Sequence, residues 1–155
     1  MILVYIAMIQ EAQGIMDKFT PYSLSSLIFR DQSTAPVYQF QHGNTEVHLL
    51  IGDSSPSFGI GKLSASILLR EYLSMNSPER IINLGTAGSF GAPLRAPYSI
   101  SRVVDLDFEG SFMALSRREI QLPVVGGFQE LSVYTSDDAH LSSELHARVT
   151  DFPAL

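Results

Sequence analysis

Several short stretches of the chain carry residues able to do chemistry, and each also has a purely structural use. Glu11 lies three residues beyond the apolar run Ile2 to Met8. A carboxylate there can cap the first turn of a following helix, or hold a water as a general base where the strand end opens on a pocket. The stretch "GTAGSFG", Gly85 to Gly91, follows a second apolar run and is nearly bare of side chains. Small residues let a ligand lie against the backbone, and Thr86 offers one directional hydrogen bond. The competing use is a sharp turn with glycine at positive φ. Asp137 and Asp138 precede a helical pattern. Asp138 suits an N-cap, worth about 1 kcal/mol, and two adjacent carboxylates can also raise one another's pKa for acid–base work.

Two further motifs point less far. "FGIGKLS", Phe58 to Ser64, has Pro56 and Leu63 where a phosphate-binding loop needs Gly and Ser or Thr, and Ser64 where a dinucleotide fingerprint needs Gly. What remains is a glycine-rich approach to a helix whose free N–H groups can face an oxygen-rich ligand. Histidines 42, 48, 140 and 146 show no ligand spacing and there is no cysteine. Neither a metal site nor a disulfide is expected.

The elements that must position these residues follow from periodicity. Ile2 to Met8 and Arg80 to Leu84 read as strands buried on both faces. Ile9 to Phe19 and Lys62 to Asn76 read as helices, and Pro78 lies just beyond the second. "VYQFQ" and "EVHLLIG" flank "HGNT" as a hairpin, with Gly43 and Asn44 as turn formers. Thr20 to Pro36 is serine-rich and reads as irregular. "SRVVDLD" and "ELSVYTS" are later strands, and His140 to Val149 is a last helix. No repeat or linker divides the chain. This order predicts an α/β protein with a mixed or mostly parallel sheet and helices on both faces, whose ligands bind beyond the carboxyl ends of the strands.

The bulk numbers bound the partners. The chain has 155 residues, 45% of them apolar, and a net charge of −6 with Lys18 and Lys62 its only lysines. That length suits one domain with one core, and that charge argues against a nucleic-acid surface. The amino terminus lacks a basic start and a cleavage site, so neither a signal peptide nor a membrane span is expected and the default address is the cytoplasm.

"YIAMIQEA", "FGIGKLSASILL", "RIINLGTAGSFG" and "TSDDAHLSSELHARVTDFPAL", in that order and spacing, resemble the nucleoside phosphorylase/nucleosidase superfamily. The nearest branch is that of the 5′-methylthioadenosine/S-adenosylhomocysteine nucleosidases. The resemblance is strongest over residues 3–12, 59–69 and 80–91. It implies a three-layer α/β/α sandwich with a mixed central sheet, and cleavage of the bond between ribose and a purine without a cofactor. Carried over residue by residue, it implies that Glu11 holds the nucleophilic water and that Thr86 stands near the ribosyl site. Ala87 and Gly88 would let the nucleoside lie on the backbone. His140 stands where the nucleosidases usually carry a stacking Phe, and Leu141 where the main chain meets the base. Phe112 would be the aromatic residue lent to the partner of a homodimer; the other reading of Phe112 is an ordinary core residue.

The resemblance also orders the alternatives. Phosphorylases of this superfamily hold phosphate with arginines, one early in the chain and one before the glycine bend. This chain has Asn83 at the latter place and no arginine before Arg30, so water is the expected nucleophile. The Met-Glu pair that grips the ribose diol and the Asp that protonates the purine would follow "DFPAL" and are not in these 155 residues. Chain 1–155 is therefore expected to be one nucleoside phosphorylase-like domain, incomplete at its C-terminal end and weak or inactive alone. An apolar part of its sheet should be left uncovered. The reading from another class is a nucleoside-binding module without catalysis.

Overall fold

Ile2–Ile6 is apolar at every position because this strand, β1, faces a helix on each side. Leu3 and Tyr5 join one core cluster with Leu27, Val37, Leu50, Leu68 and Tyr72. Ile6, with Val4 packed beside it, joins the other with Ala12, Phe40, Leu49 and Ile51. Successive strand residues point to opposite faces, so β1 divides its side chains between two layers. The computed structural model from which this is seen describes residues 1–29, 34–54, 61–87, 96–105 and 118–135.

The chain divides into two compact units, Met1–Thr86 and Ala87–Leu155. In the first, β1 leads to α1 (Ile9–Lys18), β2 (Ser23–Ile28), β3 (Thr34–His42), β4 (Thr45–Ile51), a 3₁₀ turn at Gly52–Ser54, α2 (Lys62–Met75) and β5 (Arg80–Leu84). The sheet order is β2-β3-β4-β1-β5. β1 is parallel to both β4 and β5, with Ile6 level with Ile51 on one side and Leu84 on the other. β2, β3 and β4 are antiparallel neighbours. Helix α1, through Ala12, Ile15 and Met16, covers one face of this mixed sheet, and α2, through Leu68 and Tyr72, covers the other. That is the expected α/β/α layering. In the second unit β6 (Tyr98–Asp105) lies between β7 (Arg118–Gln121), antiparallel, and β8 (Gln129–Thr135), parallel, with a bulge between Ile100 and Arg102.

The hairpin turn and α2 stand where periodicity puts them. Gly43 takes φ +57° in the two-residue loop, and Gly61 takes φ +140° as the N-cap of α2. A Cβ at Gly61 would meet nothing within 4 Å, so backbone conformation, not crowding, requires glycine there.

Two expectations are corrected. Thr20 to Pro36 is not irregular, since it contains β2 and the start of β3. The two leucines of β2 are three residues apart and so fall on opposite faces, Leu27 buried and Leu24 exposed. Such a strand shows no period of two and forms by pairing with β3. Pro36 is tolerated because the β4 pairing of β3 begins only at Val37. Secondly, β5 is the outer strand of its sheet, and Ile81 (50%), Ile82 (40%) and Leu84 (46%) are exposed rather than buried. Arg118–Gln121, for which periodicity predicts no element, also forms a strand although it holds a single apolar residue. The expected helix from His140 to Val149 lies outside the described residues.

At the amino end of β1 a polar network crosses the core. The Tyr72 hydroxyl and His48 Nδ1 are 2.6 Å apart, and His48 Nε2 lies 3.1 Å from Glu46 Oε1. The Tyr22 hydroxyl donates to the same oxygen at 2.8 Å. Tyr72 is 1% exposed and His48 6%. Burial, then the Glu46 carboxylate, pushes the Tyr72 phenol up to about 12. It stays protonated and can donate to Nδ1, while an Nε2–H tautomer of His48 serves Glu46. Replacing Tyr72 by Phe strands a buried ring nitrogen. The expected loss is roughly 1–3 kcal/mol of unfolding free energy, read as a lower urea midpoint with an unchanged m-value.

Candidate active site

In the first unit the parallel strands β4, β1 and β5 end level with one another, so the chain segments that follow them start side by side. The segment after β1 is two residues long before α1 begins. Met8 is the N-cap, in extended conformation, and offers no side-chain cap. Glu11 is the third residue of the helix, and its own N–H donates to the Met8 carbonyl at 3.1 Å. Ala12 is fully buried and seats this first turn on the sheet.

The segment after β5 is Gly85–Thr86. The Thr86 N–H donates to Glu11 Oε1 at 2.7 Å, and the Thr86 hydroxyl donates to the same oxygen at 2.5 Å. Glu11 Oε2 is buried and has no hydrogen-bond partner among the described residues. A Cβ on Gly85 would lie 3.5 Å from both carboxylate oxygens, in ordinary contact, and Gly85 is not among the positive-φ glycines. At Gly85, then, neither crowding nor a positive-φ turn demands glycine.

Burial on its own would raise the Glu11 carboxyl. The hydrogen bonds from the Thr86 hydroxyl and N–H, with the Met8 backbone acting the same way, outweigh it and hold the group below its ordinary value of 4.5. Glu11 has the first-turn position foreseen for it from the sequence. It sits in the first turn, where the helix dipole favours an anion, and it presents an ionised oxygen with free lone pairs. Such an oxygen can take a proton from a water or accept from a sugar hydroxyl.

Of the expected site residues, the structure brings together Glu11 and Thr86. Ala87 follows directly in the chain and is exposed. Gly88, Phe112, His140 and Leu141, like Asp137 and Asp138, lie outside the described residues. Asn83 stands on β5 opposite Tyr5. Among the described residues no group of His, Asp and Glu could hold a metal ion, and no helix is long and apolar enough to cross a membrane. One participant escaped the sequence reading. The Ile9 N–H donates to Asp53 Oδ1 at 2.7 Å, so the cap that Met8 cannot supply comes from the 3₁₀ turn after β4. The clue was negative: no Ser, Thr, Asp or Asn stands at the N-cap position.

The fold is that of solved 5′-methylthioadenosine nucleosidases and of a futalosine hydrolase. The chain is similar to the apo structure of 5′-methylthioadenosine nucleosidase from Arabidopsis thaliana, at 21% identity and a TM-score of 0.76, over 97% of this chain and 68% of that one. It is similar to 5′-methylthioadenosine/S-adenosylhomocysteine nucleosidase from Neisseria meningitidis in complex with methylthio-immucillin-A, at 18% identity and a TM-score of 0.68, over 97% and 70%. Futalosine hydrolase of Helicobacter pylori matches at 16% identity and a TM-score of 0.70, over 97% and 74%. No protein-family model matches the chain, and no curated protein matches it by sequence.

The Glu11–Thr86 contact sets a pH dependence whose sign is fixed. A carboxyl whose native pKa lies below its unfolded value stabilises the fold above that unfolded value, and the contribution is lost as pH falls through the native one. In Thr86→Val the hydroxyl bond is gone while burial remains. The Glu11 carboxyl is expected to titrate at higher pH than in the wild type, and the acid loss of stability to begin at correspondingly higher pH. Carboxyl carbon NMR across pH 2–7, roughly the range of carboxylate titration, measures the first, and urea unfolding at matched pH the second. An unchanged titration would show that the hydroxyl does not hold the charge.

Proposed function

We propose that this chain carries the water-activating part of a purine nucleosidase site and that Glu11 is its general base. The observation that carries the reading is the asymmetry of the Glu11 carboxylate: Oε1 is held by two donors from Thr86, and Oε2 is buried without a partner among the described residues. A water bridging Oε2 and the substrate's anomeric carbon would complete that oxygen's hydrogen bonding. As the N-glycosidic bond breaks, its electron pair leaves with the purine and positive charge gathers on the sugar. The water oxygen bonds to the anomeric carbon and its proton passes to Glu11. The departing base takes up a proton, and the products are free purine and the ribose derivative. Thr86, bound to Glu11, fixes the direction of the base.

The ligand in this reading is a small nucleoside of the kind named for the similar structures: methylthioadenosine, adenosylhomocysteine or futalosine. Neutral Asn83 on β5 supports water over phosphate, since an arginine stands near that place in the phosphorylases that the sequence resembles. A homodimer in the cytoplasm belongs to the same proposal.

The test is release of free purine from the three nucleosides in phosphate-free buffer, with binding of each measured by calorimetry. Glu11→Gln is expected to lower turnover by about 10²–10⁴-fold, the usual worth of a general base, while nucleoside binding stays within about tenfold. Turnover that requires phosphate would replace hydrolysis by phosphorolysis. Binding with no purine release, unaffected by Glu11→Gln, would favour the non-catalytic module. A wild-type protein that neither binds nor cleaves any of the three would sink the proposal.

A further inference from the structure

We infer that Asp53 is a positioning residue for Glu11, acting through the backbone of the β1–α1 corner; the inference rests on the reading of Glu11 as the base. Residue 53 meets that corner at two points. Its N–H donates to the Ala7 carbonyl at 3.0 Å, and its carboxylate accepts the Ile9 N–H at 2.7 Å. The two bonds bracket Met8, the N-cap of α1, which has no side-chain cap of its own. A helix leaves its first N–H groups without partners inside the helix. Here an acceptor 44 residues away in the chain satisfies one of them.

The approach of the two segments is unusually close. A Cβ on the preceding residue, Gly52, would lie 2.6 Å from the Tyr5 hydroxyl and 2.8 Å from the Ala7 carbonyl oxygen. Only glycine lets the turn come near enough for Asp53 to reach both sides of Met8. Within the turn the Ser54 hydroxyl donates to the Ile51 carbonyl at 2.7 Å, which ties Asp53 to the end of β4. β4 and β1 are register-locked from Ile2–Val47 to Ile6–Ile51. The position of the Ile9 N–H, and of the helical turn that begins there, is therefore referred to the sheet through Asp53.

Glu11 stands two residues further along that same turn. Its oxygen must reach Thr86 at 2.5–2.7 Å, and hydrogen bonds of this length tolerate errors of only a few tenths of an ångström. Without Asp53 the Ile9 N–H loses its acceptor and the first turn can fray or rotate. The Asp53 carboxylate is engaged by the Ile9 N–H. What it fixes is where the Glu11 carboxylate points.

The experiment compares Asp53→Ala with Asp53→Asn, which keeps an oxygen acceptor without the charge, in the full chain. Three quantities are read: the Glu11 carboxyl titration by carboxyl carbon NMR, kcat and KM for purine release, and the urea midpoint. Asp53→Ala is expected to move the Glu11 titration up toward its ordinary value, as Thr86 loses its grip. It should lower kcat by about 10–100-fold with KM changed less than about threefold. Asp53→Asn should stay within about threefold of wild type in kcat, with the Glu11 titration still low. A lower urea midpoint in Asp53→Ala with the Glu11 titration unmoved would mean that Asp53 is only a structural cap and would overturn the inference. Should Asp53→Ala not fold, Asp53→Asn decides: an acceptor-retaining variant that loses kcat and the low titration as well contradicts positioning by hydrogen bonding. If the wild type neither binds nor cleaves any of the three nucleosides, the proposed function falls by itself, and the NMR titration alone then tells whether Asp53 places Glu11.

Discussion

Three parallel strands that end at the same level are the constraint on which the rest of the site depends. β4, β1 and β5 share one register, so Asp53, Glu11 and Thr86 each follow a strand end by only a few residues. Hydrogen bonds of 2.5–2.7 Å among side chains and backbone groups that are 75 and 44 residues apart in the chain require that common level. A slip of one residue in either pairing would displace a strand end by about 3.3 Å, more than any of these bonds can stretch. It would also turn β1 over, sending Leu3 and Tyr5 to the α1 side and Val4 and Ile6 to the α2 side. Core packing thus enforces the register, and the register places the carboxylate.

Within the first unit, the buried polar network and the proposed base occupy opposite ends of the sheet. The Tyr72–His48–Glu46–Tyr22 network lies toward the amino end of β1, where every group has a partner. The carboxyl end holds the buried oxygen that has none. An unpaired buried acceptor costs free energy unless something fills its lone pairs. The exception falls at the strand ends, where ligands of such sheets bind, and this supports the proposed use of Glu11 as a base. The same end carries the close contact at Gly52, where a side chain of any kind would meet backbone.

Much of this was legible in the sequence because it depends on local pattern. The apolar runs before Glu11 and Thr86 mark strands, and side chains just past strand ends are the ones that can converge. The hairpin around Gly43 and the helix after Gly61 rest on backbone preferences that glycine states openly. What was not legible depends on pairing between distant segments. β2 has its leucines on opposite faces and is a strand only because β3 lies beside it. The apolar residues of β5 read as a buried strand, since periodicity reports hydrophobicity and cannot tell how many neighbours the strand has. Asp53 sits in a loop of serines and glycine, and nothing local connects it to a helix that begins 44 residues earlier. Only the missing cap at Met8 pointed to a donor in search of an acceptor.

The direction of the Glu11 shift bears on what kind of base it can be. General bases act best when their pKa lies near the working pH, and many enzymes raise a carboxyl for that purpose. Here the Thr86 bonds lower it against the pull of burial. A carboxylate whose pKa lies below its ordinary value is a weaker base toward ordinary water than a free one. It is well matched to a reaction in which the electrophile forms first. Where the glycosidic bond is largely broken before the nucleophile arrives, the sugar is already cationic, and a water that bonds to it becomes strongly acidic. The base then needs to be charged and correctly aimed at that moment rather than strong in isolation. A fixed negative oxygen beside the developing cation also stabilises it directly. The low pKa, the two Thr86 donors and the backbone clamp from Asp53 all serve aim and charge rather than basicity. In the proposed nucleosidase reaction they favour late nucleophilic participation over direct displacement by an activated hydroxide.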